Sequence, residues 1–161
     1  MLLHPRQTAH GLRRAAAPAA PGKPPLGMVL AAASVAMFAT NLDFFALNLS
    51  IPRMAEDLDV STTNMQWAIS GYMLALGSFL IPGGRLGDLF GRRRMLIAGT
   101  ALFGVSSLVG GLAPSAGFLI GARLIQGMGA AILFPLCIAV VSNAFPEDRR
   151  ARAIGNLYGL A

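Results

Sequence analysis

The chain has 161 residues, of which 55% are hydrophobic and only 12% are charged, and its mean hydropathy is +0.61. An ordinary water-soluble domain has about twice that share of charged residues, so the composition excludes such a fold and indicates a protein embedded in lipid. The net charge is +6, but the basic residues lie between apolar runs and not on a face with aromatic residues, so we expect no nucleic-acid partner.

The first 26 residues differ from the rest of the chain in composition. They are rich in alanine and proline and contain four basic residues. Because proline disfavours a helix, we predict that residues 1–26 form a disordered, basic tail in the cytosol. Met28 is a plausible alternative start, so the sequence leaves open whether the tail is translated.

Four apolar runs follow the tail, at about residues 27–51, 67–87, 95–113 and 116–145, and a fifth begins near residue 153. Each of the first four approaches or exceeds the ~20 residues that cross the hydrocarbon core of a bilayer. We therefore predict an all-α membrane protein with four complete transmembrane helices and the start of a fifth, at residues 153–161. Pro52 and Pro146 are expected to end the first and fourth of these helices.

Basic residues alternate between the predicted links. The tail, the 85–94 link and the 146–152 link contain four, four and three Lys or Arg residues, whereas the 52–66 link has one and the link near Pro114 has none. Lys and Arg are enriched in cytoplasmic loops. The alternation predicts a multi-pass protein of the cell membrane, plasma or inner, with its N-terminus in the cytoplasm.

Two opposite charges, Asp43 and Arg123, lie inside the first and fourth predicted spans, about 12 Å and 10 Å from the outer ends. Insertion scales give about +2.5 to +3.5 kcal/mol for such a charge near the midplane, so each should face the bundle or water and contact a partner. Gln126 and Gly127 continue the face of Arg123 with polar and then small residues. Two interpretations stay open: an ion pair that holds two helices together, and a site for proton coupling or substrate.

Glycines recur at four-residue spacing in the apolar runs. In a transmembrane helix this spacing predicts close helix–helix packing. The repeats are Gly83-Gly87-Gly91, Gly117-Gly121 and Gly155-Gly159.

The sequence has no signature of a soluble enzyme. It contains no P-loop, no HExxH and no GxSxG pattern, and its single cysteine, Cys137, has no histidine nearby. We predict that the chain is not an enzyme and binds no metal.

Three segments resemble the signatures of one transporter family. Residues 84–96, GRLGDLFGRRRML, match the loop signature GxLaDrxGrkxxl of the major facilitator superfamily, which lies between its second and third spans. Residues 119–131 match its fourth-span signature. Residues 42–52 resemble the first-span signature LDxTxVNVALP of the fourteen-span drug/proton antiporters, with Phe45 in place of Thr and Ser50 in place of Ala.

The resemblance implies a secondary active transporter, with proton-coupled efflux of drugs or of hydrophobic or cationic small molecules. A proton gradient would drive it without a cofactor. Its partners would be the lipid bilayer and, in the full-length parent, the small-molecule substrate and protons. By the same resemblance, proton coupling or substrate binding falls to Asp43, Arg123 and Gln126, helix packing to Gly127 and Gly129, and gating to Gly84, Arg85, Asp88, Gly91, Arg92 and Arg93.

The family fold has two six-helix halves, so we expect this chain to be an N-terminal fragment, a partial domain over residues 27–161. Two alternatives stay open. In the first, the chain would be a small exporter that works as an oligomer of four-helix subunits. In the second, it would be a membrane protein without transport activity that binds a partner through its glycine faces. The sequence does not identify the substrate.

Overall fold

The structure is a computed structural model and describes residues 25–159. These residues form five α-helices and no strand, so the predicted all-α fold is confirmed. The tail predicted for residues 1–26 lies outside the described residues, except for its last two. The helices are α1 (Leu26–Asp57), α2 (Thr62–Phe90), α3 (Arg92–Gly111), α4 (Ala116–Ala144) and α5 (Glu147–Gly159).

Helices α1 to α4 have the length and composition of membrane spans. They contain 32, 29, 20 and 29 residues, and each includes a strongly apolar stretch. At 1.5 Å per residue even α3 is about 30 Å long, which equals the hydrocarbon thickness of a bilayer. The described part of the chain is therefore a bundle of four helices that can cross a membrane, followed by the shorter α5.

Local sequence explains where the helices begin. The hydroxyl of Ser61 accepts a hydrogen bond from the backbone N–H of Asn64, and Ser115 caps α4 in the same way. Between α2 and α3 the chain turns at Gly91, whose φ is +93°. A side chain at that φ would be strained, so glycine allows two long helices to be joined by one residue.

Helix α1 continues five residues beyond Pro52, although the sequence predicted that the helix ends there. Proline removes one backbone hydrogen bond, which a helix tolerates when its packing on neighbouring helices compensates. Ile51 and Ala55 lie on either side of Pro52, and both are buried against Met65 and Leu119. This packing holds the last turns of α1 in helical form.

Helix α4 is the centre of the bundle. Half of its most apolar stretch is buried, against 22–28% for the other three spans. It packs on α2 and α3 with their backbones in contact. A Cβ added to Gly127 would lie 2.5 Å from the backbone oxygen of Tyr72, and one added to Gly129 would lie 2.9 Å from the backbone nitrogen of Phe103. Gly83 of α2 faces the backbone of Ala131 at 2.6 Å in the same manner.

The other predicted glycine repeats do not mediate packing in the described part of the chain. A Cβ added to Gly117, Gly121, Gly155 or Gly159 would meet no other atom within 4 Å. The prediction of close packing is therefore confirmed for Gly83 and for Gly87, which faces the side chain of Leu136. Within residues 25–159 the third glycine of that repeat, Gly91, and the two later pairs contact no neighbouring helix. The spacing is the same in every repeat, but only the fold decides which faces meet another helix.

Candidate functional site

An ion pair joins α1 and α4 inside the bundle. Nη1 of Arg123 lies 2.5 Å from Oδ2 of Asp43, and the two side chains are only 8% and 17% exposed. The sequence placed both charges at similar depth on separate helices, and the structure brings them into direct contact.

Gln126 holds the guanidinium of Arg123 from the same helix. Its Oε1 accepts a hydrogen bond of 2.8 Å from Nη1, and the residue is fully buried. Since arginine only donates hydrogen bonds, the amide oxygen must face it and the amide nitrogen must point away. Among residues 25–159, neither that amide nitrogen nor Nε of Arg123 has an acceptor. Buried N–H groups are nearly always hydrogen-bonded in folded proteins, so both of these groups are available to donate to a further oxygen acceptor.

A third helix reaches the same carboxylate. The hydroxyl of Ser107, on α3, donates to Oδ1 of Asp43 over 3.2 Å. The sequence gives no reason to single out Ser107, because one serine in an apolar helix carries no distinctive signal. The two oxygens of Asp43 therefore have different partners, a guanidinium on Oδ2 and a hydroxyl on Oδ1.

An aromatic residue with apolar neighbours lies beside the ion pair. The phenol of Tyr72, on α2, lies within electrostatic range of both Asp43 and Arg123. The rings of Phe44 and Tyr72 are 6.2 Å apart, and Tyr72 packs in an apolar cluster with Phe103. Charges interact more strongly in such surroundings than in water, so any change in the charge of Asp43 has a large effect on the electrostatic energy that holds Arg123 in place.

A second polar cluster lies where α2 meets α3. Arg92 contacts Asp88 through Nη2 at 3.0 Å and Nε at 3.3 Å, and its Nη1 donates to the backbone oxygen of Ala139 at 3.4 Å. One side chain thus connects the end of α2, the start of α3 and the backbone of α4.

The remaining residues of the predicted gating loop have other surroundings. Gly84 lies against Pro135 of α4, with 3.4 Å between an added Cβ and the Pro135 Cβ, and Gly91 forms the turn. Arg85 is exposed, and Arg93 lines a cavity of about 840 Å³ between α1, α3 and α4. Neither arginine forms an ion pair within residues 25–159. The structure therefore brings together Asp88 and Arg92 but not the other two arginines.

Four apolar helices around an intramembrane ion pair, with the contact of Arg92, Asp88 and the Ala139 carbonyl at one end, define a multi-pass membrane protein. The sequence profile of the Major Facilitator Superfamily matches residues 33–161. The chain belongs to the major facilitator superfamily, a family of transporters.

Several relatives have names that refer to drug resistance or export. The chain is 44% identical to a puromycin resistance protein of Streptomyces alboniger over 73% of this chain and 24% of that protein. It is 40% identical to a cephamycin export protein of Amycolatopsis lactamdurans, over 78% and 26%. It is 38% identical to a multidrug resistance protein of Mycobacterium tuberculosis, over 80% and 24%. The chain thus spans about a quarter of the length of these relatives.

Proposed function

We propose that this chain supplies the proton-coupling and gating elements of a transporter that exports drugs or other hydrophobic or cationic small molecules. A proton gradient drives the export without a cofactor, and the transporter belongs to the fourteen-span antiporter branch. Membership of the major facilitator superfamily supports transport. The names of the relatives, which refer to puromycin, cephamycin and multiple drugs, support export.

The observation that carries the proposal is the ion pair between Asp43 and Arg123. A proton on Asp43 removes its negative charge and with it most of the attraction to Arg123. Gln126 still accepts a hydrogen bond from the guanidinium, so Arg123 keeps a partner when the pair opens. Protonation is thereby converted into a change in the contact between α1 and α4.

Exchange follows if protons and substrate compete for this site. A cationic substrate favours the charged carboxylate, whereas a proton neutralises it, so each weakens the binding of the other by linkage. Alternating exposure of the site to the two sides of the membrane then couples export to proton entry.

The clasp of Asp88, Arg92 and the Ala139 carbonyl is proposed as the gate. It joins the end of α2 and the start of α3 to the backbone of α4, and we assign that end of the bundle to the cytoplasm. The side chains of Arg92 and Asp88 are 37% and 66% exposed. Since exposed ion pairs contribute only about 0–1 kcal/mol, the clasp is weak enough to open and close in every transport cycle.

The test is Asp43→Asn in a full-length exporter that carries this segment. Everted membrane vesicles are energised to form a proton gradient, and uptake of a fluorescent hydrophobic cation is followed. Asparagine keeps the shape of the side chain but cannot take up a proton, so we expect gradient-driven uptake to fall to the background of vesicles without the exporter. Asp57→Asn is the matched control, because Asp57 is on the same helix but exposed at its end.

Gradient-driven uptake that survives in Asp43→Asn would contradict the proton-coupling role. Equal amounts of both variants in the membrane, measured by immunoblot, are required for the comparison. A purely structural ion pair predicts a different result, in which the protein is lost from the membrane but the remaining copies keep their proton coupling.

A further inference from the structure

We propose that Ser107 is the positioning residue of this proton site, and that it keeps its hydrogen bond to Asp43 in both protonation states. The inference rests on the proposed function, since it specifies how the carboxyl group carries its proton. It assigns the proton to Oδ1, the oxygen that faces α3.

The geometry distinguishes the two oxygens of Asp43. Oδ2 faces Nη1 of Arg123, and Oδ1 accepts a hydrogen bond of 3.2 Å from the hydroxyl of Ser107. A guanidinium has five donors and no acceptor, so Arg123 cannot accept a hydrogen bond from a protonated carboxyl group. A hydroxyl both donates and accepts, so Ser107 can do so by rotating about its own C–O bond.

The proton transfer then has a defined course. A proton from the aqueous phase adds to Oδ1, and the charge of the side chain changes from −1 to zero. The new O–H donates to Oγ of Ser107, whose own hydrogen turns away. Arg123 loses its counter-charge and keeps the hydrogen bond to Gln126. Release of the proton reverses each of these changes.

Ser107 differs in this contact from other hydroxyl groups of the same helix. Ser106 donates to the backbone oxygens of Leu102 and Phe103, and Thr100 donates to that of Leu96. These bonds stay within α3, as is usual for serine and threonine in a transmembrane helix. Ser107 instead reaches across to α1.

Few other ionisable groups face Asp43. Within residues 25–159, Arg123 faces it from α4 and Tyr72 from α2. Arg123 can only donate a hydrogen bond, and Tyr72 makes none to Asp43 in the structure. Ser107 is therefore the hydrogen-bond acceptor already in place for a proton on Oδ1.

Infrared spectroscopy of the chain in lipid bilayers tests the inference directly. The carbonyl band of a protonated carboxyl group is followed as the pH is lowered, and the Asp43 band is assigned by its loss in Asp43→Asn. A carbonyl whose acid group is hydrogen-bonded absorbs at lower wavenumber than a free one. We expect Ser107→Ala to shift the Asp43 band to higher wavenumber, and Ser107→Thr, which keeps the hydroxyl, to leave it in place.

Ser106→Ala is the matched control, since it removes the neighbouring hydroxyl that bonds within its own helix. The Asp43 band should not move in this variant. If circular dichroism shows that Ser107→Ala is unfolded, Ser107→Cys replaces it. A thiol is a weaker donor and acceptor than a hydroxyl, so the Asp43 band in Ser107→Cys should lie between the wild-type position and that of an acid without a hydrogen bond.

The outcomes separate the two proposals. A band that is lost in Asp43→Asn but unchanged in Ser107→Ala or Ser107→Cys would overturn the role of Ser107 and leave the proton site in place. A wild-type spectrum without any Asp43 acid band, at every pH where the chain stays folded, would overturn both.

Discussion

Arg92 and Arg94 lie two residues apart at the start of α3, yet the fold gives them different surroundings. Arg92 contacts Asp88 and the backbone oxygen of Ala139. Arg94 is exposed and forms no ion pair within residues 25–159. Each adds one positive charge at the same end of the bundle, so a comparison of the two residues separates the effect of a contact from the effect of charge.

The proposed gate predicts that Arg92→Gln slows export several-fold, whereas Arg94→Gln stays near the wild-type rate. Each variant loses one positive charge from the first turn of α3, so any effect on membrane orientation is shared. Only Arg92→Gln loses the charged link between α2 and α4. The initial rate of cation uptake into everted vesicles that carry the full-length exporter measures the difference.

Equal losses of export rate in the two variants would show that the positive charge at the start of α3 matters and the clasp does not. A wild-type rate in Arg92→Gln would remove the clasp from the mechanism altogether.

At the scale of the helices, α4 determines how the bundle packs. It carries Arg123 and Gln126 and, one residue further on, the glycine that lets α2 approach closely. The close contact of α2 and α4 at Gly127 brings Tyr72 beside the ion pair. Packing and the proposed proton chemistry thus depend on neighbouring positions of one helix.

Two glycines of α4 provide a matched test of this packing. Gly127→Ala places a Cβ 2.5 Å from the backbone oxygen of Tyr72, and backbone cannot rotate aside as a side chain does. Overpacking of this kind costs about 1–3 kcal/mol, so we expect a clearly lower midpoint of thermal unfolding in detergent or lipid. Gly121→Ala meets open space, and the helix propensity of alanine predicts a change between zero and about 1 kcal/mol of stabilisation.

Circular dichroism of the two variants against temperature measures both effects. If Gly127→Ala melted at or above the temperature of Gly121→Ala, the close approach of α2 and α4 would not be a determinant of stability.

At the scale of the whole molecule, the two ends of the bundle are distinguished by their contacts. The end of α1, the start of α2 and the start of α4 pack in one cluster with Ala113, which follows α3. The turn between α2 and α3 lies at the other end, where Arg92 contacts the last part of α4. The charge asymmetry of the loops supports the assignment of the α2–α3 end to the cytoplasm. The chain contains a single, fully buried cysteine, Cys137, which makes it suitable for a labelling test of this orientation.

We expect Thr63→Cys to react with a membrane-impermeant thiol reagent in intact cells, and Leu89→Cys to react only in everted vesicles. Both positions are exposed, at opposite ends of α2, and neither substitution changes the charge of a loop. The unmodified chain is the control, since burial of Cys137 should leave it unlabelled from either side. The reverse labelling pattern would invert the proposed orientation and place the clasp outside the cell.

The sequence by itself determined the fold class and the residues worth examining. A chain with so few charges cannot cover its apolar surface in water, and the lengths of its apolar runs match a bilayer, so the all-α membrane fold follows from composition and length. Asp43 and Arg123 are recognisable as candidate site residues from the sequence, because an isolated charge in an apolar run is costly.

Only the tertiary structure decided which helix faces meet. Gly117 and Gly121 have the same spacing as Gly83 and Gly87 but face open space, because spacing defines a face and not its neighbour. Helix α1 continues beyond Pro52 because Ile51 and Ala55 are packed against other helices. Helix propensity depends only on the local sequence and therefore does not include this stabilisation. Ser107 reaches Asp43 across 64 positions of sequence, and the rotation of α3 about its axis is set by its packing on α4, so no local pattern could have distinguished it from Ser106.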